Sequence, residues 1–193
     1  MKQLLITGFD PFGGEAVNPS WEAVRRLSEE IGSYQLTRLQ IPTVFDKAAQ
    51  TVLDAAAQLT PHVILCIGQA GGRSAVTPEV VAINLREARI ADNEGFQPVN
   101  EPVIAHGPAA YFSTVPVREM VAAIEQAGLP AAMSLSAGAF VCNDTLYLLL
   151  RYYEGTEVKV GFIHVPYLPE QGTPSLPLED TARALLAAIE VCG

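Results

Sequence analysis

No uninterrupted apolar run in this 193-residue sequence approaches the roughly 18 residues that a membrane-spanning helix needs. The opening MKQLLITG has one lysine and an apolar run too short for a signal-peptide core, so it is expected to be a first strand. Basic residues are scarce. There are 12 Lys and Arg against 21 Asp and Glu, for a net charge of -9, and no basic cluster offers phosphates a footprint. That argues against a nucleic-acid partner. The three cysteines, Cys66, Cys142 and Cys192, are too few and too scattered for a disulfide framework or a zinc site. Free thiols in a reducing compartment are the expectation, which makes the protein soluble and cytoplasmic. Phosphate-binding fingerprints are also missing. Neither GFDPFGGE nor GQAGGR is a GxGxxG opening a helix or a GxxxxGK[ST] loop.

What is present is a regular alternation of apolar and amphipathic runs, with 15 Gly and 14 Pro clustered between them. Strands are predicted at KQLLITG, YQLTRLQIP, HVILCIG, AAMSLSAG and VKVGFIHVP. Helices are predicted at SWEAVRRLSEEIG, VFDKAAQTVLDAAAQL, VREMVAAIEQAG, NDTLYLLLRYYEG and EDTARALLAAIEVCG. VVAINLREARI is β-rich and ambiguous. This βαβα order predicts an α/β fold with a mostly parallel sheet covered on both faces, as one domain over residues 1–193. Binding residues then gather beyond the carboxyl ends of the strands. The stretch 92–108, DNEGFQPVNEPVIAHGP, lacks patterning and reads as either a functional loop or an insertion.

Cys142 falls between AAMSLSAG and the helical pattern that follows, at a predicted strand-to-helix turn. Free N–H groups at a helix start favour a thiolate and can hold an oxyanion. The sequence has three histidines to pair with it. His62 opens its strand at the amino end and His106 lies in the irregular stretch. His164 ends the strand after the Cys142 helix, so it is the one placed to activate the thiol as a general base. Glu79, Asp92 and Asp144 are candidates to orient the imidazole. Asp144, two residues past the thiol, is the least suited because its charge opposes a thiolate. Pattern alone leaves Glu79 and Asp92 equivalent. Phe9, Phe12 and Gln69, in tight loops, are placed to wall a small, flat, apolar pocket.

Several segments, in order, carry a resemblance: TGFDPFGG with NPSWEAV, GQAGGR, TPEVVAIN, ARIADNEG, GPAAYFST, SAGAFVCN and GFIHVPYLPEQ. Over almost the whole chain the sequence resembles the pyroglutamyl peptidase I (pyrrolidone-carboxylate peptidase) family of cysteine peptidases. The resemblance implies a triad of Cys142, His164 and Glu79, with Asp92 as a supporting carboxylate and Arg89 near the oxyanion. It implies that Phe9, Phe12, Asn18, Gln69, Phe140 and Val141 bind substrate. The activity implied is removal of N-terminal pyroglutamate from peptides, without metal or cofactor. The fold implied is a single-domain α/β/α sandwich with a mixed, mostly parallel twisted sheet, related to the purine nucleoside phosphorylases and commonly assembled as a homotetramer. Two positions depart from the family pattern. Val80 stands where a basic residue is frequent, and Asp144 where histidine is frequent, which predicts a raised thiol pKa and an alkaline activity optimum. The competing readings are a non-catalytic small-molecule binder using the same pocket and a nucleoside-phosphorylase-type enzyme.

Overall fold

The computed structural model describes residues 1–192. The elements, in order, are β1 (Lys2–Phe9), α1 (Pro19–Val24), β2 (Glu30–Ile31), β3 (Tyr34–Ile41), α2 (Lys47–Leu59), β4 (Val63–Gln69), β5 (Thr77–Pro78), β6 (Val81–Ile83), β7 (Ala110–Phe112), α3 (Val117–Gln126), α4 (Val141–Tyr152), β8 (Lys159–Val165) and α5 (Leu178–Glu190). A six-stranded sheet runs β2-β3-β1-β4-β8-β5, and β6 and β7 form a separate antiparallel pair. The four inner strands are parallel, and the edge strands β2 and β5 are antiparallel to their neighbours. The sheet is therefore mixed and mostly parallel, with helices on both sides.

The two-residue period of the strands sorts their side chains. Leu4, Ile6, Val63, Leu65, Ile67, Ile163 and Val165 pack with α1, α3 and α5 on one face. Leu5, Phe9, Ile64, Cys66, Val160 and Phe162 pack with α2 and α4 on the other. Continuing that alternation puts Gly68 and His164, which are paired in register, on the face covered by α4. This parity brings the end of β8 under the start of α4. Phe9 is accordingly a core residue at the end of its strand as well as a loop neighbour.

Three predicted elements come out differently. The helix predicted over 20–32 stops at Val24, where i→i−3 bonds from Arg26 and Leu27 close it. Gly32, at φ +56°, then turns the chain from β2 into β3. Leu27 and Ile31 have helical spacing, but Ile31 is buried as part of an edge strand. The helix predicted from Val44 begins at Lys47, because Asp46 takes a left-handed φ of +59°. AAMSLSAG forms no strand. It runs beside residues 76–80 through isolated bridges, Val76 with Ala131 and Glu79 with Ser134, and Leu135 is exposed. The strand it runs beside, β5, has two residues, one of them a proline, and cannot support a ladder. The stretch 92–108 carries no helix or strand.

Cys192, near the end of the chain, is nonetheless buried in the core beside α5 and donates to Ala188 O. Among the described residues no helix is long and apolar enough to cross a membrane.

Gly8 sets how closely α1 approaches the sheet. A Cβ there would lie 2.6 Å from Trp21 Cα and 2.7 Å from Trp21 N, both backbone atoms that cannot turn aside. The Ser20 hydroxyl accepts the next amide, Phe9 N, at 3.0 Å. Gly8→Ala is therefore expected to destabilise the protein by about 2–3 kcal/mol through overpacking, read as a lower urea midpoint at unchanged m-value. An unchanged midpoint would mean that α1 can lift away freely.

Candidate active site

Cys142 is the second residue of α4. The Phe140 N-cap supplies no side-chain acceptor, so no side chain caps the amides at the start of α4. Since AAMSLSAG forms no strand, Cys142 is not held at the end of a strand of its own. Two other contacts place it. Asn143 accepts Ile83 N at 2.9 Å and donates to Ile83 O and Leu85 O at 2.9 and 3.0 Å, tying the first turn to the segment after β6. Gly68, at the end of β4, leaves room for the sulfur. A Cβ there would lie 2.9 Å from Cys142 Sγ and 2.7 Å from Phe162 Cζ.

His164 sits on the same face, buried, with its ring 4.8 Å from that of Phe162. Its Nδ1 is 2.7 Å from Oε1 of Glu79, which is fully buried. Asp92 is not a partner to His164. Its carboxylate accepts the backbone amides of Phe45, Glu94 and Phe96 and braces its own loop. Asp144 is also turned away from the site, into an ion pair with Arg86. The like-charge opposition to the thiolate expected of Asp144 therefore has no geometric basis. His62 and His106 are not part of the site. His62 accepts Gln3 N at the far end of β4, and His106 is exposed in the irregular stretch.

Arg73 is the residue that sequence reasoning passed over. It donates to Glu79 Oε1 at 2.7 Å, to Thr77 Oγ1 at 2.5 Å and to Ser136 O at 2.9 Å. The available signal was a cation on the turn just before the carboxylate's strand. Gln171, at the end of GFIHVPYLPEQ, was also missed. It donates to Gln69 Oε1 at 3.2 Å and Val17 O at 3.3 Å and accepts Leu168 N at 3.0 Å, joining two loops over the site.

The protonation states follow from burial and these partners. Burial pushes the Cys142 thiol up, and the Glu79 charge adds to this. Arg73 and the thiol's own backbone N–H only partly oppose the rise. Burial thus works against the thiolate expected from a helix start. Burial also pushes His164 down, against the upward pull of Glu79. Burial would raise Glu79, but the hydrogen bond and charge of His164, with the Arg73 hydrogen bond, bring its net shift downward. An ionised Glu79 accepts the Nδ1 proton and leaves His164 Nε2 as a free base. Cys66, beneath the site, is pushed by burial up to about 12 and is inert.

These groups open on a cavity of about 610 Å³ lined by Phe9, Phe12, Asn18, Gln69, Phe140, Arg89, Arg73, Cys142 and His164. Phe12 and Phe140 face each other with centroids 6.1 Å apart. The Val141 side chain is buried in the core and does not line the cavity, so that residue has only its backbone to offer. Asn18 spends Oδ1 on Ser20 and one Nδ2 proton on Asp10 O, keeping one donor. Residues 92–108 do not line the cavity. The neighbouring Glu87, Arg89 and Ile90 do.

A family model described as pyroglutamyl peptidase matches residues 2–193. A pyrrolidone-carboxylate peptidase from Levilactobacillus brevis is 53% identical, the match covering 97% of this chain and 95% of that protein. One from Bacillus thuringiensis is 49% identical, over 99% of this chain and 93% of that protein. The crystal structure of pyroglutamyl peptidase I from Bacillus amyloliquefaciens superposes with a TM-score of 0.96 at 48% identity, covering 100% of this chain and 97% of that one. The pyrrolidone carboxyl peptidase from Thermococcus litoralis gives 0.94 at 34% identity, covering 100% and 93%.

Arg73 lowers the His164 pKa through space. Replacing it in Arg73→Met removes a cation beside the imidazole, so His164 should titrate at higher pH than in the wild type. Imidazole NMR across a pH series measures this directly. A midpoint that stays put or falls would dissociate Arg73 from the His164–Glu79 pair.

Proposed function

The chain belongs to the pyroglutamyl peptidase family, and on that premise we propose that Cys142, His164 and Glu79 are the nucleophile, the general base and the orienting acid of the reaction. The enzyme is a cysteine-type hydrolase that removes an N-terminal pyroglutamyl residue from peptides. The observation that carries the triad is the 2.7 Å contact of His164 with buried Glu79, on the sheet face over which Cys142 is seated.

A neutral thiol beside a neutral imidazole requires attack and proton transfer to be coupled. The Cys142 proton passes to His164 Nε2 as Sγ bonds to the pyroglutamyl carbonyl carbon. The oxyanion is met by the uncapped amides at the start of α4, and each such donor is worth about 3 kcal/mol in the transition state. Arg89, exposed on the cavity lining, adds a cation near the developing charge. His164 then gives its proton to the leaving amine, the C–N bond breaks and a thioester remains. Water, deprotonated by His164, attacks the thioester, and Cys142 leaves with the proton. Glu79 holds the imidazole tautomer throughout and stabilises the imidazolium while it exists.

Pyroglutamate is a flat, uncharged lactam with no free amine for a carboxylate to bind. The carboxylates that line the cavity, Glu15 and Glu87, are exposed, and deep Glu79 is already paired. Phe9, Phe12 and Phe140 suit the ring faces. Backbone groups at Gln69 and Val141, with the spare Asn18 donor, suit the lactam N–H and C=O. Proline, which lacks that carbonyl, leaves such groups unpaired and is rejected. We read residues 1–193 as one catalytic domain, working in the cytoplasm as a homotetramer. The three free cysteines suit a reducing compartment, and exposed Phe112 and Leu135 offer apolar surface for assembly.

A chromogenic pyroglutamyl amide is expected to be cleaved, its prolyl counterpart not, and cleavage is expected to cease after stoichiometric iodoacetamide labels Cys142. Cys142→Ser is expected to reduce kcat by about 10³-fold or more with the fold intact. Full activity in that variant would overturn the nucleophile assignment.

A further inference from the structure

The side of α4 turned away from the cavity carries a charge cluster that the reaction does not use, in which Asp144 and Arg86 are buried and Asp46 is exposed. Asp144, fully buried, accepts Arg86 Nε at Oδ1 (2.7 Å) and Asp46 N at Oδ2 (2.9 Å). Arg86, itself buried, also pairs through Nη2 with the Asp46 carboxylate. The three residues come from three places: the residue before α2, the irregular segment after β6 and the first turn of α4. Burying such a cluster costs so much desolvation that stability alone is a poor account of it, which directs attention to what it positions.

Two routes lead from the cluster to the cavity. The Arg86 guanidinium lies 5.6 Å from the centroid of the Phe45 ring, which meets Phe140 edge-on at 5.3 Å. Phe140 in turn faces Phe12 across the cavity wall. On the other route, Arg86 is paired through its backbone with Glu101 in both directions, and the next amide, Glu87 N, bonds to Ala139 O at 2.9 Å. Glu87, Arg89 and Ile90 then continue along the cavity lining. The thiol is held separately, by Asn143 and the space above Gly68.

We propose that the Arg86–Asp144–Asp46 cluster is a positioning device that sets the spacing between the Phe45–Phe140–Phe12 wall and the 87–90 segment, and so the fit of the lactam ring. The inference rests on the pyroglutamyl reading for its substrate, but not for its geometry. Asp144 and Arg86 touch no reacting atom. They act on ring binding and leave the thiol where it is.

The test is the double variant Arg86→Met/Asp144→Asn. It removes both buried charges at similar volume and keeps an acceptor for Asp46 N. Arg86→Met alone strands the buried Asp144 carboxylate and lowers Tm, whereas the double variant leaves no buried charge stranded and is expected to melt near the wild type. Its KM for a pyroglutamyl amide is expected to rise at least about tenfold, as a displaced pocket wall would cause. Its kcat should stay within about threefold, since the reacting groups are untouched. The iodoacetamide labelling rate of Cys142 is expected to match the wild type. A crystal structure of the double variant should show the Phe140 ring displaced. A KM within about twofold of wild type at matched Tm would make the cluster merely structural and overturn the proposal. An unmoved Phe140 ring overturns it whatever the kinetics do. Failure of the wild type to cleave the amide refutes the functional reading alone, and the ring position still decides this one.

Discussion

A single carboxylate oxygen, Oε1 of Glu79, accepts both the Nδ1–H of His164 and Nη1 of Arg73 inside the protein. A fully buried carboxylate is costly unless it is paired and hydrogen-bonded, and here the two donors offset part of that cost while Oε2 stays buried without a hydrogen bond. The consequences reach the whole site. Glu79 stays ionised, so the imidazole proton stays on Nδ1 and Nε2 faces outward as a base. Arg73 limits how far the Glu79 charge can raise His164, and burial does the rest. Burial thus pushes the Cys142 thiol up and the His164 imidazole down, against a resting thiolate and imidazolium. Charge that develops as bonds change is what the uncapped amides of α4 can act on.

That arrangement also accounts for how the site is held. The polypeptide leading into Cys142 is extended and largely exposed, so it cannot by itself locate a nucleophile. Location comes instead from the first turn of α4, where Asn143 is saturated by the backbone of residues 83 and 85. Consecutive helical residues point in different directions. Cys142 faces the sheet and cavity, while its neighbours fix the helix from other sides. The glycine at position 68 then decides the approach from below, because any side chain there would occupy the space of the sulfur.

Much of the fold was legible in the sequence. Strands β1, β4 and β8 are continuous apolar runs because both their faces are covered, and α5 repeats apolar residues at helical spacing. The failures share a cause. Leu27 and Ile31 are spaced as on a helix yet belong to a turn and an edge strand, and AAMSLSAG has strand-like residues but no adequate neighbour to pair with. Local pattern reports what a segment can bury, not what lies beside it. In the site, the placing of His164 at a strand's carboxyl end was legible from strand order. The burial that works against the expected thiolate was not, since it depends on residues distant in the chain.

The sequence by itself therefore determined the alternation of elements, the place of His164 at the carboxyl end of a strand and the start of a helix near Cys142, because these follow from periodicities of two and of 3.6 residues. Family membership was equally legible, carried by ordered motifs along the chain. Pattern left Glu79 and Asp92 equivalent, the family resemblance favoured Glu79, and the tertiary structure puts Glu79 against the imidazole. Both are carboxylates in loops near strand ends. One is carried by β5 pairing to within 2.7 Å of the imidazole, while the other is consumed by the amides of Glu94 and Phe96 in its own loop and of Phe45 just before α2. Only the tertiary structure decided the role of Asp144, which adjoins the thiol in sequence but lies around the helix from it. The reason in both cases is that a charge acts through distance and dielectric, and neither is a property of position along the chain.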